Sequence, residues 1–292
     1  MNPYLQSVIL GIVEGLTEFL PVSSTAHLRI TEALMHIPLD DAYWQMYTIV
    51  IQFGAIFALT LLFLGRIVEF IRTFPGGEKG DRTLLTHPIS LTLIAFAFTS
   101  VPALLLRKWS ERNLGSIVAM ALALLLGGIV MWIIDYWADR RDADVTDIEQ
   151  MTLFQAIWIG LCQALSAIFP GTSRSMSTIA AGQLVALDRP TALAFSFLLS
   201  IPTMFAATVW DLLKEIHPSK ASVAAGLAPH VVMNGERWIV LVIGLVVSFI
   251  VALGVVEWFL QWVRKHGFAL FAVYRILLGA ALLIWGARFI AS

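Results

Sequence analysis

The sequence predicts an all-α integral membrane protein: an inverted-topology repeat of six transmembrane helices plus two re-entrant helical hairpins. Three observations predict this. The 292 residues are 59% hydrophobic and only 13% charged, against roughly 25% charged in soluble domains, and the mean hydropathy is +0.82. Six apolar stretches reach the roughly 20 residues a helix needs to cross the hydrocarbon core. Two further apolar stretches are each broken by a proline and a cluster of hydroxyl residues, and they match one another.

The six spans are Trp44–Leu64, Pro88–Leu106, Leu114–Trp137, Thr191–Leu213, Trp238–Trp262 and Phe268–Phe289. Between them lie charged or Gly/Pro-rich connectors at Arg66–His87, Arg107–Asn113, Asp139–Gln150, Lys214–Arg237 and Arg264–Gly267. Trp44, Trp109, Trp132, Trp137, Trp238, Trp258 and Trp262 fall near the ends, where amphipathic rings anchor a helix at the interface. No Lys or Arg precedes the first apolar run, and that run carries Glu14 and Glu18. It therefore reads as part of the mature protein and not as a cleavable signal.

The interrupted stretches are Tyr4–His36, broken at Pro21-Val22-Ser23-Ser24-Thr25, and Thr152–Leu187, broken at Pro170-Gly171-Thr172-Ser173-Arg174-Ser175. Proline stops a helix and a following Ser or Thr starts the next. Irregular backbone at membrane depth is tolerated only when buried in protein or facing a wet cavity, so both read as re-entrant hairpins. Leu5–Ile30 and Phe154–Ile179 align without gaps: Gln6 meets Gln155, Gly11 meets Gly160, Pro21 meets Pro170 and Ser24 meets Ser173. The chain thus divides into a first repeat, 1–150, and a second, 151–292. Each holds one hairpin and three spans. Three is odd, so the second repeat is expected upside down, its hairpin tip meeting the first near the midplane. The connectors Arg66–His87, Asp139–Gln150 and Arg264–Gly267 carry a slight excess of Lys and Arg, which places that face in the cytoplasm and both termini outside.

Function classes narrow accordingly. A formal net charge of −1 argues against a nucleic-acid partner. Cys162 is the one cysteine, which excludes an intrachain disulfide and a Cys-rich metal site and reads as a small core residue. Gly76, Gly77 and Gly80 do not form a nucleotide-binding loop. The sequence leaves a homo-oligomer open.

The chemistry concentrates at the two breaks. Ser23, Ser24 and Thr25 open a helix whose first N–H groups lack intrahelical partners, an end suited to phosphate; a plain capping role is the alternative. The second break repeats the device with Thr172, Ser173, Ser175 and Thr178 and adds Arg174. A guanidinium at that depth needs an anion, two phosphate oxygens or a buried carboxylate of Glu14 or Glu18. Glu14 and Glu18 share one helix face, one turn apart. Two such carboxylates require a proton or a cation, and Mg²⁺ or Ca²⁺ suits carboxylates plus phosphate. The second repeat has Gln163 and Ala167 there, so the carboxylates belong to one half and the guanidinium to the other. His27 follows Ser24 by three residues and so shares its face. It is a general base for Ser24 or for water.

Glu14–His27, EGLTEFLPVSSTAH, resembles the first signature of the undecaprenyl-pyrophosphate phosphatases, the bacitracin-resistance phosphatases, and Pro170–Ser175, PGTSRS, resembles the second. Segments at Gln52-Phe53-Gly54, Phe195-Ser196-Phe197-Leu198-Leu199 and Tyr274-Arg275-Ile276 resemble further landmarks. The resemblance implies hydrolysis of undecaprenyl pyrophosphate to undecaprenyl phosphate and inorganic phosphate in the bacterial inner membrane, recycling the carrier for cell-wall synthesis. It also implies a divalent cation and a site open to the periplasm. Glu14, Glu18, Ser23, Ser24, Thr25 and His27 match the first motif's functional residues; Thr172, Ser173, Arg174, Ser175 and Thr178 match the second's. Ala26 and Met176 stand where the family usually has Gly, and Met176 bears on pocket width. The alternative is a secondary transporter or lipid flippase, which the same repeat would also serve. A His beside two carboxylates favours chemistry, because anion transport alone needs no base.

Overall fold

The computed structural model describes residues 1–107, 110, 116–216 and 233–289. The Trp109 anchor, most of the Arg107–Asn113 connector and most of the Lys214–Arg237 connector lie outside these residues. Ten α-helices account for the described chain: α1 Pro3–Thr17, α2 Ser24–Leu34, α3 Ala42–Thr73, α4 Pro88–Leu105, α5 Ile117–Ala138, α6 Leu153–Ile168, α7 Arg174–Leu184, α8 Arg189–Ile216, α9 Gly235–Val263 and α10 Ala269–Phe289. Six of them, α3, α4, α5, α8, α9 and α10, are long and apolar enough to cross a membrane. The protein is a multi-pass membrane protein.

Local chemistry sets the helix starts. Asn2, Asp41, Ser116, Thr152 and Asn234 each accept a first-turn backbone N–H, and Thr152 forms a full capping box with Gln155. Proline opens α1 and α4 at a position where no N–H is missed. One boundary differs from the sequence expectation. The connector placed at Arg66 begins only after Thr73, because α3 runs two further turns. Those turns are held from outside the helix by Asp147, which pairs with Arg66 at 2.9 Å, and within it by Arg66 lying over the Phe70 ring one turn on. Their charge marked them as a loop, whereas a charged helix end at an interface stays folded when its cations find partners.

The packing repeats itself. α1 lies against α9 as α6 lies against α4, α3 and α8 meet each other, and α5 and α10 meet each other. Exchanging the first five helices with the last five reproduces these contacts. The register is retained in detail. A Cβ at Gly11 would strike the Gly244 carbonyl at 2.8 Å, and one at Gly160 would strike the Ala95 carbonyl. A shift of 149 residues carries Gly11 onto Gly160 and Ala95 onto Gly244. Only glycine lets α1 and α6 approach their partner helices this closely.

The ends of the bundle are also distinguishable. Near the start of α1, Ser7 bonds Tyr47 and the Val240 carbonyl, and Tyr43 bonds the Arg237 carbonyl, which gathers the starts of α1, α3 and α9. At the far end of α3, Arg66 meets Asp147 and the Glu78 N–H meets Glu149, just before α6 begins. α1 and α6 therefore enter from opposite ends. Between them sits the main core, in which Phe19, Phe63, Phe195, Phe197, Phe259 and Phe268 are buried.

Candidate active site

Both breaks fall where the sequence put them, after Thr17 and after Ile168, and both restart through a serine with positive φ: Ser23 at 75° and Ser173 at 70°. Non-glycine residues rarely occupy this region, and holding them there costs about 1–3 kcal/mol each. Ser173 caps α7 by accepting the Met176 N–H, but the Ser23 side chain makes no such bond. The opening N–H groups of α2 are thus left without a cap from Ser23.

The two breaks meet. Ser175 Oγ donates to the Leu20 carbonyl at 3.0 Å. Arg174 Nη2 donates to Glu18 Oε1 at 3.2 Å, and the guanidinium lies over the Phe19 ring. On the other carboxylate oxygen, Ser24 Oγ donates to Glu18 Oε2 at 2.6 Å. Glu18 therefore joins the hydroxyl of one break to the guanidinium of the other. The carboxylate and guanidinium are about nine-tenths buried, so the pair interacts in a medium that strengthens charge contacts.

His27 takes a different place from the one expected of a base for Ser24. Its Nδ1 lies 2.7 Å from the Ser23 carbonyl, and its Nε2 lies 2.6 Å from the Tyr274 hydroxyl. A carbonyl only accepts, so Nδ1 carries the proton and Nε2 is the accepting nitrogen. The carbonyl one turn back captures the ring, and the hydroxyl of Ser24 turns to Glu18 instead. His27 is half-buried and Tyr274 is 43% exposed, so Nε2 lies at the mouth of the site.

The other predicted residues divide. Ser173 and Ser175 are bonded to one another. Thr178 bonds the carbonyls of Arg174 and Ser175 and so braces the first turn of α7. Ser23 is buried, whereas Thr25 is exposed. Met176 is buried, its methyl 2.8 Å from where a Cβ of Gly127 would stand. The space a second glycine would have opened is thus taken up against α5.

One central residue entered the sequence analysis only as a landmark. Arg275, fully buried on α10, donates through Nη1 to the Pro21 carbonyl at 3.2 Å. Through Nη2 it reaches the carbonyls of Thr172 at 2.9 Å, Ala123 at 3.2 Å and Gly171 at 3.3 Å. It gathers the unpaired carbonyls of both breaks under one cation. The available signal was a lone Arg within an apolar span, which is costly unless it has such work.

For a divalent cation, the two glutamates are not equivalent. Glu18 has both oxygens engaged. Glu14 is fully buried, and neither carboxylate oxygen has a partner among the described residues. Carboxylate oxygens are the ligand type that Mg²⁺ or Ca²⁺ takes, and Glu14 is the carboxylate left open, although no three His, Cys, Asp or Glu side chains cluster together among the described residues.

Residues 7–281 match the model of the family described as bacitracin resistance protein BacA. The chain belongs to that family. Similar proteins include the undecaprenyl-diphosphatase of Koribacter versatilis, 58% identical over 99% of this chain and 100% of that protein. Those of Persephonella marina and Aquifex aeolicus are each 37% identical, covering 96% and 98% of this chain and 98% of either relative.

Proposed function

We propose that this protein hydrolyses undecaprenyl pyrophosphate to undecaprenyl phosphate and inorganic phosphate in the bacterial inner membrane, and so returns a lipid carrier to cell-wall synthesis. The observation that carries the mechanism is the Ser24–Glu18–Arg174 chain, with its 2.6 Å and 3.2 Å links. A hydroxyl bonded to a carboxylate is an activated nucleophile. A guanidinium beside it, with the first-turn N–H groups of α2 and α7, is an anion cradle.

In this reading the pyrophosphate enters over Thr25 and His27, and its terminal phosphoryl oxygens take the Arg174 guanidinium. Ser24 Oγ attacks the terminal phosphorus as its proton passes to Glu18. The bond to the bridging oxygen breaks, and undecaprenyl phosphate leaves. His27 Nε2, freed from Tyr274, takes a proton from the water that attacks the phosphoseryl phosphorus. The bond from phosphorus to Ser24 Oγ breaks, Ser24 takes back the proton held on Glu18, and phosphate leaves while His27 returns its proton to solvent. Ser173, Ser175 and Thr178 hold α7 in place for this. Glu14, whose oxygens have no other partner among the described residues, would hold the cation one turn behind Glu18, and the cation would supply neutralisation of phosphoryl charge when bound.

We also read the chain as an inverted repeat, 1–150 and 151–292, with α1–α2 and α6–α7 as re-entrant hairpins. The opposite points of entry of α1 and α6 and the exchange symmetry of the packing support it. The face bearing Arg66, Asp147 and Gly267 is cytoplasmic in this reading, and the site opens to the periplasm. No observation favours transport.

The test is phosphate release from undecaprenyl pyrophosphate by the purified protein in detergent with Mg²⁺ or Ca²⁺. Arg174→Ala is expected to abolish release in a protein that still runs as folded on size exclusion. Full activity in that variant overturns the mechanism.

A further inference from the structure

The exchange of repeats maps Glu14 onto Gln163 and Ser248 onto Thr99, both by the 149-residue shift that superposes Gly11 on Gly160. The two sites differ in how their polar atoms are paired. In the second repeat the donor is fully used: Gln163 Nε2 donates to Thr99 Oγ1 at 3.1 Å and to Thr203 Oγ1 at 3.0 Å, and the neutral Oε1 is the one atom of that cluster left without a partner among the described residues. Thr99 in turn donates to the Ala95 and Gly160 carbonyls. In the first repeat the amide has become a carboxylate, and Thr203 is matched by Gly54, which brings no side chain. Glu14 and Ser248 are both fully buried. Both Glu14 oxygens and Ser248 Oγ lack a partner among the described residues.

These groups share one junction. Gly15, next to Glu14, packs on the Ser248 backbone, where an added Cβ would come within 2.8 Å of its carbonyl. Ser248 Cβ stands 3.2 Å from where a Cβ of Gly54 would be. α1, α3 and α9 therefore pack together at the segments that carry these three orphan oxygens, which hold one formal negative charge. Buried polar atoms are rarely left unpaired, and a carboxylate least of all. A neutral donor such as the Gln163 amide would satisfy them, and this half has none. A hard cation with oxygen ligands does so and also balances the charge.

We propose that Ser248 Oγ is a ligand of the divalent cation, completing with the Glu14 carboxylate an oxygen-only site one layer behind Glu18. This rests on the cation being part of the proposed function and adds a residue from a helix neither motif contains. Ser248 acts on the cation and does not touch the scissile bond.

The test is binding of CaCl₂ alone, without substrate, followed by calorimetry and by the Ca²⁺-dependent rise in melting temperature. Ser248→Ala is expected to weaken Ca²⁺ binding by roughly tenfold or more. Glu14→Gln is expected to abolish it while melting no lower than wild type in EDTA, since its neutral amide removes the buried charge and can donate to Ser248 as Gln163 donates to Thr99. Ser248→Cys, in a Cys162→Ala background, is expected to lose Ca²⁺ affinity and gain Cd²⁺ affinity, because sulfur prefers the softer ion. Wild-type Ca²⁺ affinity in Ser248→Ala, or an unchanged Ca²⁺/Cd²⁺ preference in Ser248→Cys, overturns the inference and leaves the phosphatase reading intact. A wild-type protein that binds no Ca²⁺ yet releases phosphate in EDTA overturns the inference and the cation part of that reading together.

Discussion

Replacing Arg275 with methionine removes the one cation that holds the carbonyls of both helix breaks. Nη1 supplies one hydrogen bond, to Pro21, and the two protons of Nη2 are shared among Ala123, Gly171 and Thr172. Three protons are therefore engaged. Bonds from a charged donor contribute about 1.5–3 kcal/mol each, so roughly 5–9 kcal/mol of gross interaction is lost. Against this, the variant no longer buries a guanidinium, whose effective desolvation penalty is several kcal/mol. The net loss is about 3–5 kcal/mol, the size seen when one partner of a buried charged contact is removed. Arg275→Lys keeps the charge but not the fork, and falls between. The assay is thermal unfolding in detergent followed by tryptophan fluorescence, with phosphate release measured below the transition. Both should fall in the order wild type, Lys, Met. An Arg275→Met protein with wild-type melting and wild-type release would refute the idea that this residue sets the approach of the breaks.

Glu18→Gln keeps the shape of the side chain but removes the proton acceptor of Ser24 and the counter-ion of Arg174; turnover should fall by about 10²–10⁴, and the loss of a buried counter-ion should lower the melting temperature as well. Tyr274→Phe deletes the hydroxyl on His27 Nε2 and should leave turnover within about tenfold, whereas His27→Ala should lose about 10²–10⁴; the ratio of the two, measured as phosphate release, separates a gate from a base. Gly160→Leu would drive a side chain into the Ala95 carbonyl and should cost at least about 1–3 kcal/mol, read as a lower melting temperature or loss of folded protein.

Much of this was legible in the sequence because the governing rules are local. Six spans follow from apolar length, and the two breaks follow from Pro21 and Pro170 with hydroxyl residues behind them. The pairing of Arg174 with Glu18 was visible as a requirement: a buried guanidinium needs an anion, and the repeat supplied carboxylates in one half alone. What escaped are contacts between segments far apart in the chain. Ser24 and His27 share a helix face, but the Ser23 carbonyl and Tyr274 claim the imidazole, and Tyr274 is 247 residues away. Arg275 and Ser248 each sit in spans recognisable by their apolar length, and their roles appear only when α10 and α9 are set against the breaks. The last turns of α3 were missed for the opposite reason. Their charges imitate a loop, and the partner that keeps them helical, Asp147, lies in another connector.

The division of charge between the breaks has a consequence for how the molecule is made. Glu14 and Glu18 emerge early in synthesis, and Arg174 and Arg275 much later. Until the second half arrives, the first carries acids without their counter-ion in an apolar setting, and the second alone would carry the reverse. Each half is therefore a poor stand-alone product, and a pair of separately expressed halves should regain hydrolysis only as they associate. Turnover in such a split protein would serve as a direct gauge of assembly.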